Sequence, residues 1–298
     1  MGLSLVYVSK HATELFRLWR WGGMVYCPYC GSLHIYRGSG RYKCGECNHR
    51  FTDTTGTLFH SSKLSLEILT LGIYLQLQNR MISSYNLSEQ LGVTQKTAWR
   101  LQTKIRFALT QRNLTVSDDV AVDEDYLCGS LVWKHLREKL SLYSKYGIEV
   151  ENDRPTQPQS LVLTRKRGVP VIGLHDGSTV ILEHTPAPIT SQSIIEVLNA
   201  HNGGITHITC DESHLYFPIA KLWDTTTVNH KKHNYKNDNY SSNRIENVFS
   251  WFNSNNQSNH RHQKEKYLQG YLNLFTFRRN HKDMDNRMAA AFTYFQFR

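Results

Sequence analysis

The stretch VAVDEDYL, residues 120–127, decides the fold expected for the second half of the chain. Its β-branched and aromatic residues predict a strand, because such side chains fit a pleated surface well. Three successive acids, Asp123, Glu124 and Asp125, occupy that strand in a chain whose formal net charge is +10. Side chains alternate along a strand, so Asp123 and Asp125 are expected on one face and Glu124 on the other. Carboxylates gathered on a strand of a basic protein indicate a functional site.

The charge is distributed unevenly along the chain. Residues 1–60, 61–112 and 225–298 carry net charges of +4, +5 and +7, whereas residues 113–224 carry −6. Basic segments therefore flank one acidic segment. A basic surface indicates a polyanionic partner, most simply nucleic acid, and a basic protein without such a partner is the alternative.

No targeting or membrane-spanning segment stands out in the sequence. The opening MGLSLVYVSK lacks the basic start and the apolar run of a secretory signal. The most apolar stretch, residues 64–77, is interrupted by polar side chains and is too short to cross a bilayer. We therefore expect a cytoplasmic protein, in which cysteines serve as metal ligands more readily than as disulfides.

Four of the six cysteines form two CxxC pairs with a short segment between them. Cys27 and Cys30 make the first pair, and Cys44 and Cys47 make the second. Each CxxC turn aims two sulfurs at one point, and four thiolates complete a closed tetrahedral shell for Zn²⁺. The intervening LHIYRG and RYKC predict the two strands of a hairpin. We expect a structural zinc ribbon, because such a set leaves no open coordination position.

A helix-turn-helix is predicted within residues 61–112. An apolar pattern at helical spacing covers residues 62–78, and a short helix then ends at Leu91. Gly92 marks the turn, and Thr94 is the expected N-cap of the next helix. This layout is typical of a DNA-binding motif whose second helix enters the major groove, and a plain helical hairpin is the alternative.

The second of these helices has the pattern expected of a recognition helix. A basic outer face favours contact with DNA, and we expect Lys96, Arg100 and Lys104 to make that contact. The residues expected to face the interior are Ala98, Trp99, Ile105 and Leu109. The residues expected on the outer face are Gln95, Lys96, Arg100, Gln102, Thr103 and Lys104.

Beyond residue 113 the pattern changes to alternating strands and helices. The expected order is β-β-β-α-β-(α)-β-α-α, with a hairpin turn at Asp176-Gly177 and a helix that ends at Gly203-Gly204. The polar segment 130–160 predicts an inserted loop after the first strand. A mixed five-stranded sheet with helices packed on it follows from this order.

Three acids from distant segments are expected to converge on that sheet. Asp123 is expected on the first strand, Asp211 at the end of the fourth, and Glu246 on the helix after the fifth. Glu124 and Asp125 compete with Asp123 for this role, and Glu212 competes with Asp211. The first and fourth strands are expected to be neighbours, with the helix crossing nearby. Carboxylates brought together repel one another unless a cation lies between them, and their hard oxygens suit Mg²⁺ or Mn²⁺. Two such ions are a common device for in-line attack on a phosphodiester.

These motifs together resemble those of the zinc-ribbon DDE transposases of bacterial insertion sequences. AVDEDYLCG and ITCDES are similar to the family's strands that carry its first two catalytic acids, which puts them on Asp123 and Asp211. SSNRIENVFSWF resembles the last catalytic helix, and SEQLGVTQKTAWRLQTKIR resembles the helix-turn-helix. The resemblance covers residues 26–280. It implies an RNase H-like catalytic fold, catalytic Mg²⁺ or Mn²⁺, and cut-and-paste or replicative strand transfer.

The resemblance also implies the binding partners, and it leaves the identity of the third catalytic residue open. Double-stranded DNA, as element ends and as target, is the expected partner, and a homo-oligomer is expected in the DNA complex. The last helix offers Asn243 as well as Glu246, and we favour Glu246 because a carboxylate binds Mg²⁺ better than an amide does. Position 253 is Asn where the family tends to carry Lys or Arg.

The leading hypothesis is therefore a transposase of mixed α/β class with three domains. We expect a zinc ribbon with an N-terminal extension over 1–60, a helix-turn-helix segment over 61–112 and an RNase H-like DDE catalytic domain over 113–298. The alternatives are a DNA-binding regulator or decayed transposase with an inactive catalytic domain, and a metal-dependent nuclease that never joins strands.

Overall fold

The structure is a computed structural model in which two compact units are distinguished. The first unit comprises Met1–Gln111 with Asn273–Arg298, and the second comprises Arg112–Leu272. Within the described residues, no helix is both long enough and apolar enough to cross a membrane. The segment 130–160, which was expected to be an inserted loop, lies outside the described residues. The described residues are 3–38, 41–78, 81–127, 169–228, 243–259 and 265–296.

The first unit combines helices with a small antiparallel sheet. Its strand β2 pairs with β1 on one side and with β3 on the other, so the predicted hairpin is confirmed and a third short strand joins it. The two helices before the ribbon were not predicted. The elements in chain order are α1 (Leu5–Lys10), α2 (Ala12–Trp21), β1 (Ile35–Arg37), β2 (Tyr42–Cys44), β3 (Arg50–Phe51), α3 (Leu66–Leu77), α4 (Ser84–Leu91) and α5 (Gln95–Ala108).

A buried carboxylate joins the ribbon to α2. Asp53 is only 3% exposed, and its Oδ1 accepts hydrogen bonds from Trp21 Nε1 (2.8 Å) and the Tyr42 hydroxyl (2.9 Å). Its Oδ2 accepts a third from Arg17 Nε (3.0 Å). A buried carboxylate with three donors has its polar atoms satisfied, so the ribbon and α2 pack as one piece.

The helices of the predicted helix-turn-helix lie where the sequence indicated. Gly92 ends α4 in the left-handed region (φ 63°), which glycine adopts at little cost. Thr94 caps α5 by accepting a hydrogen bond from the backbone N–H of Thr97. Leu87, Ala98 and Ile105 are fully buried, so the two helices pack through their apolar faces.

Two expectations for the faces of α5 were wrong. Trp99 was expected inward, but it is 37% exposed, and Leu101 occupies the inward position instead. Gln102 was expected outward, but it is fully buried. Its Nε2 donates to the Ile82 carbonyl (2.8 Å) and its Oε1 accepts from Arg106 Nη2 (3.0 Å), so protein partners replace water around the amide.

The second unit contains the mixed five-stranded sheet, as predicted. The strand order is β6-β5-β4-β7-β8, in which β4, β7 and β8 run parallel and β4, β5 and β6 pair antiparallel. One face of the sheet forms an apolar core with α6. The elements are β4 (Val116–Leu127), β5 (Val169–His175), β6 (Val180–His184), α6 (Ser191–Ala200), β7 (Asn202–Asp211), β8 (Asp224–Val228) and α7 (Asn243–Asn259).

The end of α6 differs from the expectation. The helix stops at Ala200, and the glycine pair belongs to β7 rather than to a helix cap. A Cβ at Gly203 would lie 2.8 Å from Thr115 Cβ and 3.1 Å from the Val116 carbonyl oxygen. The glycine is therefore needed because the start of β7 passes very close to the start of β4.

The C-terminal residues pack with the first unit, whereas the sequence assigned all of 113–298 to one domain. They contribute α8 (Glu265–Asn280), within which the unit boundary falls, and α9 (Met284–Tyr294). Phe277, Phe292 and Phe295 are buried in the same apolar core as the side chains of α2 and α3. A short apolar segment gives no sign of its partner in the sequence, so local pattern alone did not indicate this arrangement.

Two buried arginines attach this C-terminal segment to the end of α3. Arg278 Nη2 donates to the Gln76 carbonyl, and Arg287 Nη1 donates to the Leu77 carbonyl (3.1 Å). Cations are favourable at the C-terminal end of a helix, where carbonyl groups lack helical partners. Burial, together with the positive charges of Arg287 and Arg106, lowers the pKa of Arg278 to about 9.

Replacing Arg287 tests this attachment. Arg287→Met removes the donors to the carbonyls of Leu77, Arg278 (2.8 Å) and His281 (2.6 Å). An unsatisfied buried acceptor costs about 1–3 kcal/mol, and the Leu77 carbonyl is the one of these three acceptors that belongs to α3, so we expect α3 to lose about 1–3 kcal/mol of opening free energy. Hydrogen-exchange mass spectrometry should then report roughly 5- to 150-fold lower protection of residues 66–77.

The matched control for that experiment is Lys282→Met, since Lys282 is an exposed cation of the same segment. This variant should leave α3 protected, and both variants should leave β4 protected. Unchanged protection of α3 in Arg287→Met would contradict the proposed attachment.

Candidate functional site

The four cysteines of the ribbon meet at one point, as predicted. All four sulfurs lie within 4.8 Å of one another, with Cys27 Sγ 3.5 Å from Cys47 Sγ and Cys30 Sγ 3.6 Å from Cys44 Sγ. A tetrahedral Zn²⁺ with bonds of about 2.3 Å requires sulfurs about 3.8 Å apart. In the part of the chain that is described, no other group of three or more Cys, His, Asp or Glu ligand atoms is as close.

The protonation of these thiols also fits a cation between them. The backbone N–H of Cys47 donates to Cys44 Sγ and lowers the pKa of that thiol to about 6. At Cys47 the backbone N–H of His49 lowers the pKa, but burial and the thiols of Cys30, Cys27 and Cys44 outweigh it and raise the pKa to about 12. Crowded thiols cannot all ionise unless positive charge lies between them, and Zn²⁺ supplies it.

The outer face of α5 carries the three expected basic residues. Lys96, Arg100 and Lys104 are all exposed and follow one another at intervals of four residues, so they form a continuous stripe. Trp99 and Phe107 are exposed beside this stripe, at 37% and 43%. The face therefore combines positive charge with two aromatic side chains, a combination suited to a nucleic acid.

Asp123 and Asp211 lie on neighbouring strands. The parallel pairing of β4 with β7 continues to Ala121 opposite Thr209. Asp123 and Asp211 each come two residues later on their own strand, so they share the face of the sheet on which α7 packs. Both side chains are partly buried. The expected adjacency of the first and fourth strands, which brings these two acids together, is confirmed.

A glycine lets α7 approach this face closely. Gly173 of β5 pairs with Asp123, and a Cβ at Gly173 would lie 2.7 Å from Ile245 Cδ1 and 2.9 Å from Phe249 Cζ. These two side chains bracket Glu246 in sequence, and Glu246 itself is half-buried at the edge of the helix's packed face. The structure thus brings the third predicted acid to the same part of the sheet.

Electrostatics at Asp123 reflect this convergence. Burial and the negative charges of Asp211, Glu124 and Glu246 raise the pKa of Asp123 to about 8, although the backbone N–H of Glu124 opposes the shift. Three acids that repel one another in a partly buried site fit a hard divalent cation, which would remove the repulsion. Asn243, the alternative third residue, is the exposed first residue of α7.

Other acids near Asp123 hold neighbouring elements in place. Asp119 Oδ1 lies 2.8 Å from His207 Nδ1 and accepts from the Thr209 hydroxyl (3.0 Å), while Arg244 Nη2 lies 3.6 Å from Asp119 Oδ2. The opposite ring nitrogen of His207 is 2.8 Å from Thr226 Oγ1. This polar group links β4, β7, β8 and the start of α7 on the face that carries Asp123.

A second contact attaches α7 beyond Asp123. Asn253 Nδ2 donates to Asp125 Oδ2 (3.2 Å). With Arg244 near Asp119, the helix is thus attached to β4 on both sides of Asp123. Asp125 shares the face of Asp123, as the alternation of side chains predicted, and Glu124 is on the other face, hydrogen-bonded to Tyr216.

Sequence reasoning did not identify His207, Arg244 or Tyr216. His207 could have been found, because it precedes Asp211 by four residues on a strand and therefore shares its face. Arg244 and Tyr216 gave no such signal, since their contacts with Asp119 and Glu124 depend on how distant segments pack.

Comparison with known proteins agrees with these features. Residues 115–280 match the family described as the ISXO2-like transposase domain, and residues 9–50 match the transposase zinc-ribbon domain. A protein of Halobacterium salinarum, described as an uncharacterized protein in transposable element ISH50, is 28% identical over 203 residues. That alignment covers 64% of this chain and 63% of the Halobacterium protein, so the chain spans just under two thirds of that relative's length.

The zinc centre can be tested with one cysteine variant and one control. Purified protein should contain one zinc per chain by inductively coupled plasma mass spectrometry, and Cys27→Ser should lose it. Because small zinc modules depend on their metal to fold, the ribbon should also lose its hydrogen-exchange protection. Cys210→Ser changes a cysteine that is equally buried but lies on β7, and it should keep the zinc. Full zinc content in Cys27→Ser would contradict the assignment.

Proposed function

The chain belongs to the ISXO2-like transposase family, and we propose that it binds the ends of its own insertion sequence and catalyses metal-dependent DNA strand cleavage and strand transfer. The observation that carries this proposal is the convergence of Asp123, Asp211 and Glu246 on one face of the sheet. The proposed substrates are the element's terminal repeats and the target DNA, in the cytoplasm.

Asp123, Asp211 and Glu246 would hold Mg²⁺ or Mn²⁺ through their carboxylate oxygens. Such ions, when bound, activate an attacking water or 3′-hydroxyl and stabilise the leaving oxygen of a phosphodiester. The chain's own contribution is to hold the carboxylates in register. Adjacent strands fix Asp123 and Asp211, and the close contact of α7 with Gly173 fixes Glu246. Partial burial strengthens the attraction of these acids for a cation.

DNA recognition is assigned to the outer face of α5. Lys96, Arg100 and Lys104 are exposed on the second helix of a helix-turn-helix, the helix that enters the major groove in this motif. Their charges would neutralise phosphates, and long polar side chains of this kind can reach base edges. A homo-oligomer in the DNA complex is part of the proposal, since two element ends have to be processed together.

A second candidate function is a DNA-binding regulator with an inactive catalytic unit. One observation favours it: position 253 is Asn where the resemblance expects Lys or Arg, and its amide is engaged with Asp125. A nuclease that cuts but never joins strands is a further alternative. A joining assay with pre-cut element ends separates these possibilities, because only a transposase forms the joined product.

Carboxylate variants test the catalytic proposal. Asp123→Asn, Asp211→Asn and Glu246→Gln should each lower Mg²⁺-dependent cleavage of DNA carrying the element's ends by at least about 10³-fold, since each removes a metal ligand. Gel-shift affinity for the same DNA should stay equal or improve, because one negative charge that faces phosphate is removed.

The control for these variants is Glu196→Gln, an exposed acid of α6, which should cleave like the wild type. If Glu246→Gln still cleaves the DNA and Asn243→Ala does not, the third metal ligand is Asn243 and not Glu246. Tight DNA binding by a wild-type protein that cuts nothing would favour the regulator.

Variants of α5 test the DNA-binding proposal. Lys96→Ala and Arg100→Ala should each weaken binding to the element's ends by about 1–3 kcal/mol if the side chain reads bases. A side chain that contacts only phosphate should instead give a uniform loss across sequences and a shallower salt dependence. Lys63→Ala, an exposed lysine outside α5, is the matched control. Unchanged binding in both α5 variants would exclude α5 as the reading helix.

A further inference from the structure

A phenol and a carboxylate meet on the face of the sheet that lies away from α7. The Tyr216 hydroxyl donates to Glu124 Oε2 at 2.5 Å, and Tyr216 is only 2% exposed. The surrounding side chains are apolar and include Val122, Ile208 and Ile219. A carboxylate at the edge of an apolar core costs free energy unless its partners compensate, and the Tyr216 hydroxyl is such a partner for Glu124.

The contact connects the two strands that carry the candidate metal ligands. Glu124 directly follows Asp123 on β4, and Tyr216 lies five residues after Asp211, at the end of the short 3₁₀ turn His214–Tyr216. Backbone hydrogen bonds restrain the residues between Asp211 and Tyr216. The N–H of Ser213 donates to the Asp211 carbonyl (2.9 Å), and the N–H of Tyr216 donates to the Ser213 carbonyl (3.1 Å). A displacement of Tyr216 would therefore be transmitted to Asp211.

The need for such a connection follows from the charges on the other face. Asp123 and Asp211 repel each other when both carry a charge, and each lies two residues beyond Ala121 and Thr209, the last pair in the register of β4 with β7. Repulsion at this end of the two strands acts to push β4 and β7 apart. A hydrogen bond between the residue after Asp123 and the turn after Asp211 opposes this separation.

We propose that Glu124 and Tyr216 are positioning residues that fix the separation of Asp123 and Asp211 and thereby set the affinity of these carboxylates for a divalent cation. This inference rests on the proposed function, since it assigns the cation to Asp123 and Asp211. Glu124 is not itself a ligand in this account, because its side chain is on the opposite face of the sheet. Residues that orient metal ligands typically change metal affinity by 10- to 100-fold when they are replaced.

The test measures Mn²⁺ binding to the full-length, zinc-containing protein by electron paramagnetic resonance, without DNA. Tyr216→Phe keeps the ring and removes only the hydroxyl, and we expect about a 10-fold weaker affinity for Mn²⁺. Glu124→Ala should weaken binding at least as much. Adding Tyr216→Phe to Glu124→Ala should cause no further loss, because the Tyr216 hydroxyl acts through Glu124.

Tyr74→Phe is the matched control for loss of a buried phenol. The Tyr74 hydroxyl donates to the Leu3 carbonyl (2.8 Å) in the first unit. Tyr74→Phe therefore removes a comparable hydrogen bond that lies outside the unit containing the carboxylates. It should leave Mn²⁺ affinity unchanged. In a cleavage assay, Tyr216→Phe should require about 10-fold more Mg²⁺ for half-maximal rate and should approach the wild-type rate at saturation, which a general loss of folding would not produce.

The outcomes separate this inference from the proposed function. If the wild type binds Mn²⁺ and Tyr216→Phe binds it equally well, the positioning role is overturned while the metal site stands. Additive losses in the double variant would also overturn it, since they would mean that Glu124 and Tyr216 act independently. If the zinc-containing wild type does not bind Mn²⁺, both the metal site and the positioning role are overturned.

Discussion

Repulsion between carboxylates that are crowded on neighbouring strands is the constraint on which the sheet face that carries Asp123 depends. Asp123 and Asp211 occupy adjacent strands and Glu246 approaches on α7. Burial, together with the charges of Asp211, Glu124 and Glu246, raises the pKa of Asp123 to about 8. Such an arrangement is unfavourable while all the acids are ionised, and it persists only if the surrounding contacts hold it, a proton neutralises one acid or a cation offsets the charges. The packing of β4, β7 and α7 can be understood as the means of holding it.

The acids around Asp123 illustrate this division of roles. Asp119 binds His207 and lies near Arg244, Asp125 binds Asn253, and Glu124 binds Tyr216. The first two attach α7 and β7 to β4, and the third connects β4 with the turn that follows Asp211. Each of these acids has a protein donor or cation beside it, so the cluster on β4 combines structural acids with candidate metal ligands. The zinc ribbon meets the same physical problem with four thiols in place of carboxylates.

Much of the fold followed from local sequence patterns. The CxxC pairs, the Gly92 turn with its Thr94 cap, and the order of strands could be predicted because each signal is contained within a few residues. The features that escaped prediction depend on contacts between distant segments. Gln102 is buried because the Ile82 carbonyl accepts from it, and Arg287 packs with the first unit because Leu77 ends α3. The pairing of Glu124 with Tyr216 likewise depends on where the turn after β7 comes to lie.

Anomalous X-ray diffraction from crystals of the zinc-containing protein soaked in Mn²⁺ tests the central claim most directly, because it locates the ions without relying on activity. The account predicts a zinc signal among Cys27, Cys30, Cys44 and Cys47 and a manganese signal between the carboxylates of Asp123, Asp211 and Glu246. Manganese bound on the other face of the sheet at Glu124, or no manganese near Asp123 while zinc is present in the ribbon, would contradict it.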